Sequence, residues 1–257
     1  ADLLVLKENY KSAIVNYKKA IQLKPDFFKA HNNLGLAYQD TKKFDDAIVC
    51  HEKAISLHPD YAKAYNSLGI AYLSKNEPET AIKYYKKAID IDPAYAKAFN
   101  NLGLTYLSIN NFEEAITHYK QAIEIDPDYS MAFNNLGSLY HDLGQKSNAI
   151  EYLKQASTLA PDNPGILNNL GLAYFADGKL SDAAVCYKEA LLKDTHYAEA
   201  YNNLGNAYKD MGKLDAAYLN FKKAIELKDN YSDAQLNLLF TLNYHPDISS
   251  QDIFIEH

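Results

Sequence analysis

Apolar positions along this chain form two successive helical stripes, and the pair of stripes returns every 34 residues. Over Ala96–Ile109, the residues Phe99, Leu102, Gly103 and Tyr106 stand three, four and seven places apart, one face of a helix. Over Glu113–Ile125, Ala115, Ile116, Tyr119, Ala122 and Ile123 make a second such face. Landmarks keep the phase throughout. Leu precedes Gly at Gly35, Gly69, Gly103, Gly137, Gly171 and Gly205. Tyr follows three places later, from Tyr38 to Tyr208, and two Ala mark each second stripe, as at Ala115 and Ala122. Pro closes most units, at Pro25, Pro59, Pro93, Pro127 and Pro161.

Self-similarity at this period predicts stacked helix pairs, none of which can bury its own apolar face. Six complete units start at residues 28, 62, 96, 130, 164 and 198, so they span 28–231. Residues 1–27 form a partial unit before them, and 232–257 a terminal helix with a capping or junction segment. About fifteen helices and no strand are expected. Gly and Ala remove bulk where helices approach, and aromatic and Leu places fill the space between. Asp26, Asp60, Asp128, Asp162 and Asn230 precede the first helices as candidate N-caps. Acidic pairs such as Glu113-Glu114 open the second helices, where the macrodipole favours them.

Charge narrows the function. A formal net charge of −7 argues against nucleic acid, which calls for a basic face. No apolar run reaches the roughly eighteen residues that suggest a membrane span. The first residues carry neither a basic segment nor a cleavage site, so no signal peptide is expected, and without an initiator Met the chain reads as an excised piece. Cys50 and Cys186 stand 136 residues apart, four periods, and read as unpaired thiols of a reducing compartment, with cytoplasm as the expectation. His51-Glu52 lacks a second His at Ile55, so no zinc-protease motif exists, and no Gly-rich phosphate loop appears. No catalytic residue, metal or cofactor is expected.

The Leu-Gly-x-x-Tyr, Ala, Ala and Pro places resemble the tetratricopeptide repeat over about residues 1–243. The family's Trp place is filled by His31, Tyr65, Phe99, Phe133, Leu167 and Tyr201. The resemblance implies an all-α solenoid, a right-handed superhelix of antiparallel helix pairs whose first helices line a concave, peptide-binding groove. The family's inward sixth place falls on Asn33, Ser67, Asn101, Asn135, Asn169, Asn203 and Asn237. Asn is a poor helix former, so its recurrence calls for a reason. A carboxamide both donates and accepts, which suits a peptide backbone, and inter-repeat hydrogen bonding is the alternative. The second place runs from Lys29, Lys63 and Lys97 through Met131 and Gly165 to Glu199 and Asp233, a charge gradient along the groove. Lys29 with Asn33, and Lys97 with Asn101, resemble half of a carboxylate clamp, but no Lys-x-x-x-Arg completes it.

After Asn237 the repeat signature lapses, and residues 237–257 read as helix, turn, helix, with Pro246 and Ser249 at the turn. This stretch resembles the junction between repeats and catalytic domain in bacterial relatives of protein O-GlcNAc transferase. The resemblance implies the substrate-recognition arm of a protein glycosyltransferase, and a stand-alone assembly scaffold is the alternative. Expected partners are extended peptide or protein segments, with no nucleic acid and no membrane; homo-oligomerisation stays open.

Overall fold

The computed structural model describes residues 2–243, with side chains from Tyr10 onward. It holds fourteen helices and no strand among those residues. The helix-turn-helix expected beyond residue 243 lies outside them.

The chain forms two compact units, residues 1–127 and 128–257. The first contains α1 (Asp2–Leu23), α2 (Phe28–Asp40), α3 (Phe44–Leu57), α4 (Ala62–Ser74), α5 (Pro78–Ile91), α6 (Ala96–Ser108) and α7 (Phe112–Ile125). The second contains α8 (Ser130–Asp142), α9 (Lys146–Leu159), α10 (Pro164–Ala176), α11 (Leu180–Lys193), α12 (Ala198–Asp210), α13 (Leu214–Leu227) and α14 (Ser232–Asn243). In each unit the helices pack as consecutive pairs, α2 on α3 or α8 on α9, and each pair stacks on the next. First helices also touch one another directly, α2 with α4 and α4 with α6, then α8, α10, α12 and α14 in turn.

The conserved spacing of small residues has a steric cause. Ala47, Ala81, Ala115, Ala149, Ala183 and Ala217 are completely buried, as are Ala54, Ala88, Ala122, Ala156, Ala190 and Ala224. The Gly after each Leu seats a side chain of the partner helix rather than bare backbone. A methyl on Gly69 would sit 2.6 Å from the Tyr85 ring, and one on Gly205 2.6 Å from Phe221. His51 and Leu153 take the same seat above Gly35 and Gly137.

Connections obey local backbone chemistry. The turn within each pair passes through a left-handed residue: Gly144, Gly178 and Gly212 in the second unit, but Lys42, Asn76 and Asn110 in the first. Glycine and asparagine tolerate that region and lysine does not.

The expected caps need correction. Helices α2, α4, α6, α8 and α12 begin after Phe27, Tyr61, Tyr95, Tyr129 and Tyr197, which make no side-chain capping bond. Asp26, Asp60 and Asp128 therefore stand one place too early. Asp162 also does, because the cap of α10 is Asn163, whose Oδ1 accepts from the N–H of Gly165 and Ile166. Asn230 occupies a left-handed turn at φ 56°. At two of these starts the cap residue packs through its ring: Tyr61 meets the Phe28 ring edge-on at 4.9 Å, and Tyr197 lies against Leu167, Ala190 and Ala200.

Candidate functional site

Helical geometry places residues four, seven and eleven positions apart on one side of a helix. On α2 that side carries Lys29, Asn33, Leu36 and Asp40; on α4, Lys63, Ser67, Ile70 and Ser74; on α6, Lys97, Asn101, Leu104 and Ser108. In the second unit it carries Met131, Asn135 and Ser138 on α8, Gly165, Asn169 and Leu172 on α10, Glu199, Asn203 and Asn206 on α12, and Asp233, Asn237 and Phe240 on α14. Nearly all of these side chains are exposed or half-buried, and Ser67 is buried.

The asparagines form rungs between neighbouring first helices. Asn101 Nδ2 donates to Asn66 Oδ1 at 3.0 Å in the first unit. In the second, Asn169 donates to Asn134 at 3.0 Å, Asn203 to Asn168 at 2.9 Å, and Asn237 to Asn202 at 3.0 Å. Asn169 Nδ2 also lies 3.4 Å from Ser138 Oγ. Each acceptor belongs to the Asn just before the column position of the preceding repeat, and Asn66, Asn168 and Asn202 are buried. Asn135 Oδ1 accepts from the adjacent Asn134 at 3.5 Å. Asn33, half-buried at the head of the column, has no rung among the described residues. Fixing one amide N–H fixes the carboxamide plane. The Oδ1 atoms of Asn101, Asn169, Asn203 and Asn237 are left without a hydrogen bond to the described protein.

Ser67 is too short to make a rung, and a different network takes its place. His51 Nδ1 lies 3.0 Å from Asn32 Oδ1, and Nε2 lies 3.3 Å from Gln39 Oε1. Gln39 in turn donates from Nε2 to the Ser67 carbonyl at 3.0 Å. Two facing oxygens would favour a charged ring, but complete burial outweighs them and pushes the His51 pKa down to about 4. The neutral ring has a single N–H for these two oxygens. In the sequence His51 stands out only beside Glu52, as half of a zinc-protease motif that Ile55 leaves incomplete, because a lone His on an apolar stripe shows no partner. The signal available was its coincidence with the only column position that is not Asn.

The charged positions behave differently in the two units. Lys29, Lys63 and Lys97 are all exposed. Lys29 Nζ lies 5.8 Å from the centre of the Phe28 ring, and no acidic partner meets any of the three among the described residues. Glu199 is instead bound by Lys228 at 2.5 Å, which holds its carboxyl below the usual range, and Lys228 also caps the Tyr231 ring. Asp233 is exposed near the same lysine.

Burial lifts the thiols of Cys50 and Cys186 to about 11, so neither forms a thiolate readily at neutral pH. No group of three His, Cys, Asp or Glu side chains among the described residues could hold a metal ion. No described helix is long and apolar enough to cross a membrane.

Comparison with known proteins agrees with this architecture. The family model "Cilia and flagella-associated protein 70 C-terminal domain", a tetratricopeptide model, matches residues 61–247. Two further tetratricopeptide models match residues 26–94 and 1–42. No curated protein matches. Among solved structures, pilF of Pseudomonas aeruginosa is similar at 22% identity and TM-score 0.72, over 81% of this chain and 95% of that one. YrrB, described as a TPR protein with an unusual peptide-binding site, is 25% identical with TM-score 0.59, over 72% and 96%. MamA is 29% identical with TM-score 0.58, over 64% and 96%. Helix pairs, small-residue seats and a family model covering most of the sequence lead to one conclusion: the chain belongs to the tetratricopeptide-repeat family, in the group that the Cilia and flagella-associated protein 70 C-terminal domain model describes.

Proposed function

We propose that this chain is a non-catalytic scaffold that holds an extended peptide or protein segment along the exposed side of the first helices within a unit, with column asparagines as acceptors for the ligand's backbone N–H groups. The observation that carries the reading is the rung geometry. Asn101, Asn169, Asn203 and Asn237 are oriented through one N–H while each keeps a half-buried carbonyl oxygen unused by the protein. Pre-orientation lowers the entropy that ordering on binding would otherwise cost. The similarity to YrrB, whose description names a peptide-binding site, supports the same reading.

Because the column also joins helices, stripping it would lower stability as well as binding, about 0.5–1.5 kcal/mol for each rung. An unchanged melting temperature is therefore not the control for multiple substitution. The discriminating comparison sets Asn101→Ala with Asn203→Ala against Asn66→Ala with Asn168→Ala. Both pairs sever two rungs, but only the first removes column carbonyls. On an array of random peptides the first pair should lose more binding than the second at matched stability. Equal loss would make the column purely structural.

A finer reading makes the scaffold the substrate arm of a protein O-glycosyltransferase, and it rests on the junction-like sequence Leu242-Asn243-Tyr244-His245-Pro246-Asp247 and its continuation to His257. The full gene product should then transfer sugar from a sugar nucleotide to Ser or Thr peptides. A parent protein without a glycosyltransferase domain leaves the stand-alone assembly scaffold.

A further inference from the structure

The first unit presents three parallel rows across α2, α4 and α6. One row is cationic: Lys29, Lys63 and Lys97, all exposed and without an acidic partner among the described residues. One helical turn on comes the polar row of Asn33, Ser67 and Asn101. A further turn on stands an apolar row, with Leu36 38% exposed, Ile70 half-buried and Leu104 37% exposed. Other lysines that stand near carboxylates are engaged, such as Lys75 with Asp45 at 2.7 Å and Lys193 with Asp162 at 2.6 Å. The same rows in the second unit carry no cation: Met131, Gly165, the engaged Glu199 and Asp233.

We infer that this three-row face selects an extended segment with acidic side chains on one edge and apolar side chains on another, each recurring every third residue. This rests on the scaffold reading above. The pitch of the rows sets the period. Directly packed helices lie about 8–10 Å apart, and α2, α4 and α6 touch in sequence. A polyproline II segment turns once in three residues and advances about 9 Å in doing so, so its side chains stay in step with such rows. A β-strand repeats a face every two residues, about 6.6 Å, and falls out of step after the first row. Charge complementarity selects the acidic edge, and the Leu36 and Leu104 side chains select the apolar one.

The test uses fluorescein-labelled (Glu-Leu-Pro)₃ as probe, read by fluorescence anisotropy with the whole chain. It should bind, weaken with added salt, and lose about tenfold in affinity in the Lys63→Glu/Lys97→Glu variant. Both substitutions are on exposed side chains, and circular dichroism checks that the variant stays folded. The charge-reversed (Lys-Leu-Pro)₃ should bind the variant better than the wild type. A peptide of the same composition with Glu at every second residue should bind more weakly than the probe. Equal affinity for the period-two peptide overturns the spacing, and affinity unmoved by the double substitution overturns the charge row. In both cases binding of array peptides through the asparagine column would still stand. If no peptide of the array binds, the scaffold reading fails and this inference fails with it.

Discussion

Tyr85 and Tyr119 occupy the same seat one repeat apart, and their hydroxyl groups meet opposite fates. Both rings are completely buried, over Gly69 and Gly103 respectively. The Tyr85 hydroxyl bonds to the Thr105 side chain, whose own proton goes to the Asn101 carbonyl at 2.8 Å. The Tyr119 hydroxyl is buried with no hydrogen-bond partner among the described residues. Burial raises both phenol pKa values well above the usual range, so both stay neutral at any ordinary pH. Deleting a satisfied hydroxyl costs about 1 kcal/mol, whereas an orphaned one carries a desolvation penalty of about 1–3 kcal/mol that its removal relieves. Tyr85→Phe should therefore lower stability by about 1 kcal/mol and Tyr119→Phe raise it by a similar amount. At this chain length a difference of about 2 kcal/mol separates the two melting temperatures by roughly 4–8 °C. Urea unfolding followed by far-UV circular dichroism is the assay, and the midpoint is compared only where the slope is unchanged. If Tyr119→Phe falls as far as Tyr85→Phe, the Tyr119 hydroxyl has a partner and the reasoning is refuted.

Two further outcomes follow from described residues. His51 is neutral in the fold with its pKa near 4, below the ordinary 6.5, so the unfolded chain binds more protons between those values. Stability should be full above about pH 6.5 and decline as pH falls towards 4, by up to about 3 kcal/mol; urea midpoints from pH 7 to 4 should show the slope, and His51→Tyr should flatten it. Lys42 holds φ 60° where the second unit uses glycine, so Lys42→Gly should gain about 1 kcal/mol, read as a higher melting temperature.

What could be read from the residues alone was whatever a single packing place demands. A seat that admits only Gly, or a helix contact that admits only Ala, repeats as a letter, and so the helix pairs were legible. Helix starts were less so: Asp is a good cap by chemistry, yet Tyr61 and Tyr197 take the boundary, where their rings pack on Phe28 and on Leu167 with Ala200. The asparagine column was legible as a spacing but not in its wiring. Donor and acceptor in each rung are both Asn, so composition cannot show that Asn101 spends an N–H on Asn66. Nor could it show that Lys228, 29 residues from Glu199, would claim that carboxylate. Such pairings depend on how helices distant in sequence come to lie, and one sequence carries no record of that.

Each rung joins residues 35 apart in a chain whose period is 34. A repeat therefore offers an acceptor at one side and a donor at the other, like a plug and a socket, and its modules are polar in the sense of having a head and a tail. Exchange of units between places in such a chain has a grammar. A unit bearing Asn can follow any unit with the acceptor Asn, but the unit that begins at Ala62, with Ser67 in place of the plug, fits only behind the one that supplies Gln39 and His51. Moved behind Asn168, it would leave that buried amide facing a side chain too short to reach it. Duplication and shuffling, the usual route by which repeat arrays lengthen, are open to most of this chain and closed at that one joint.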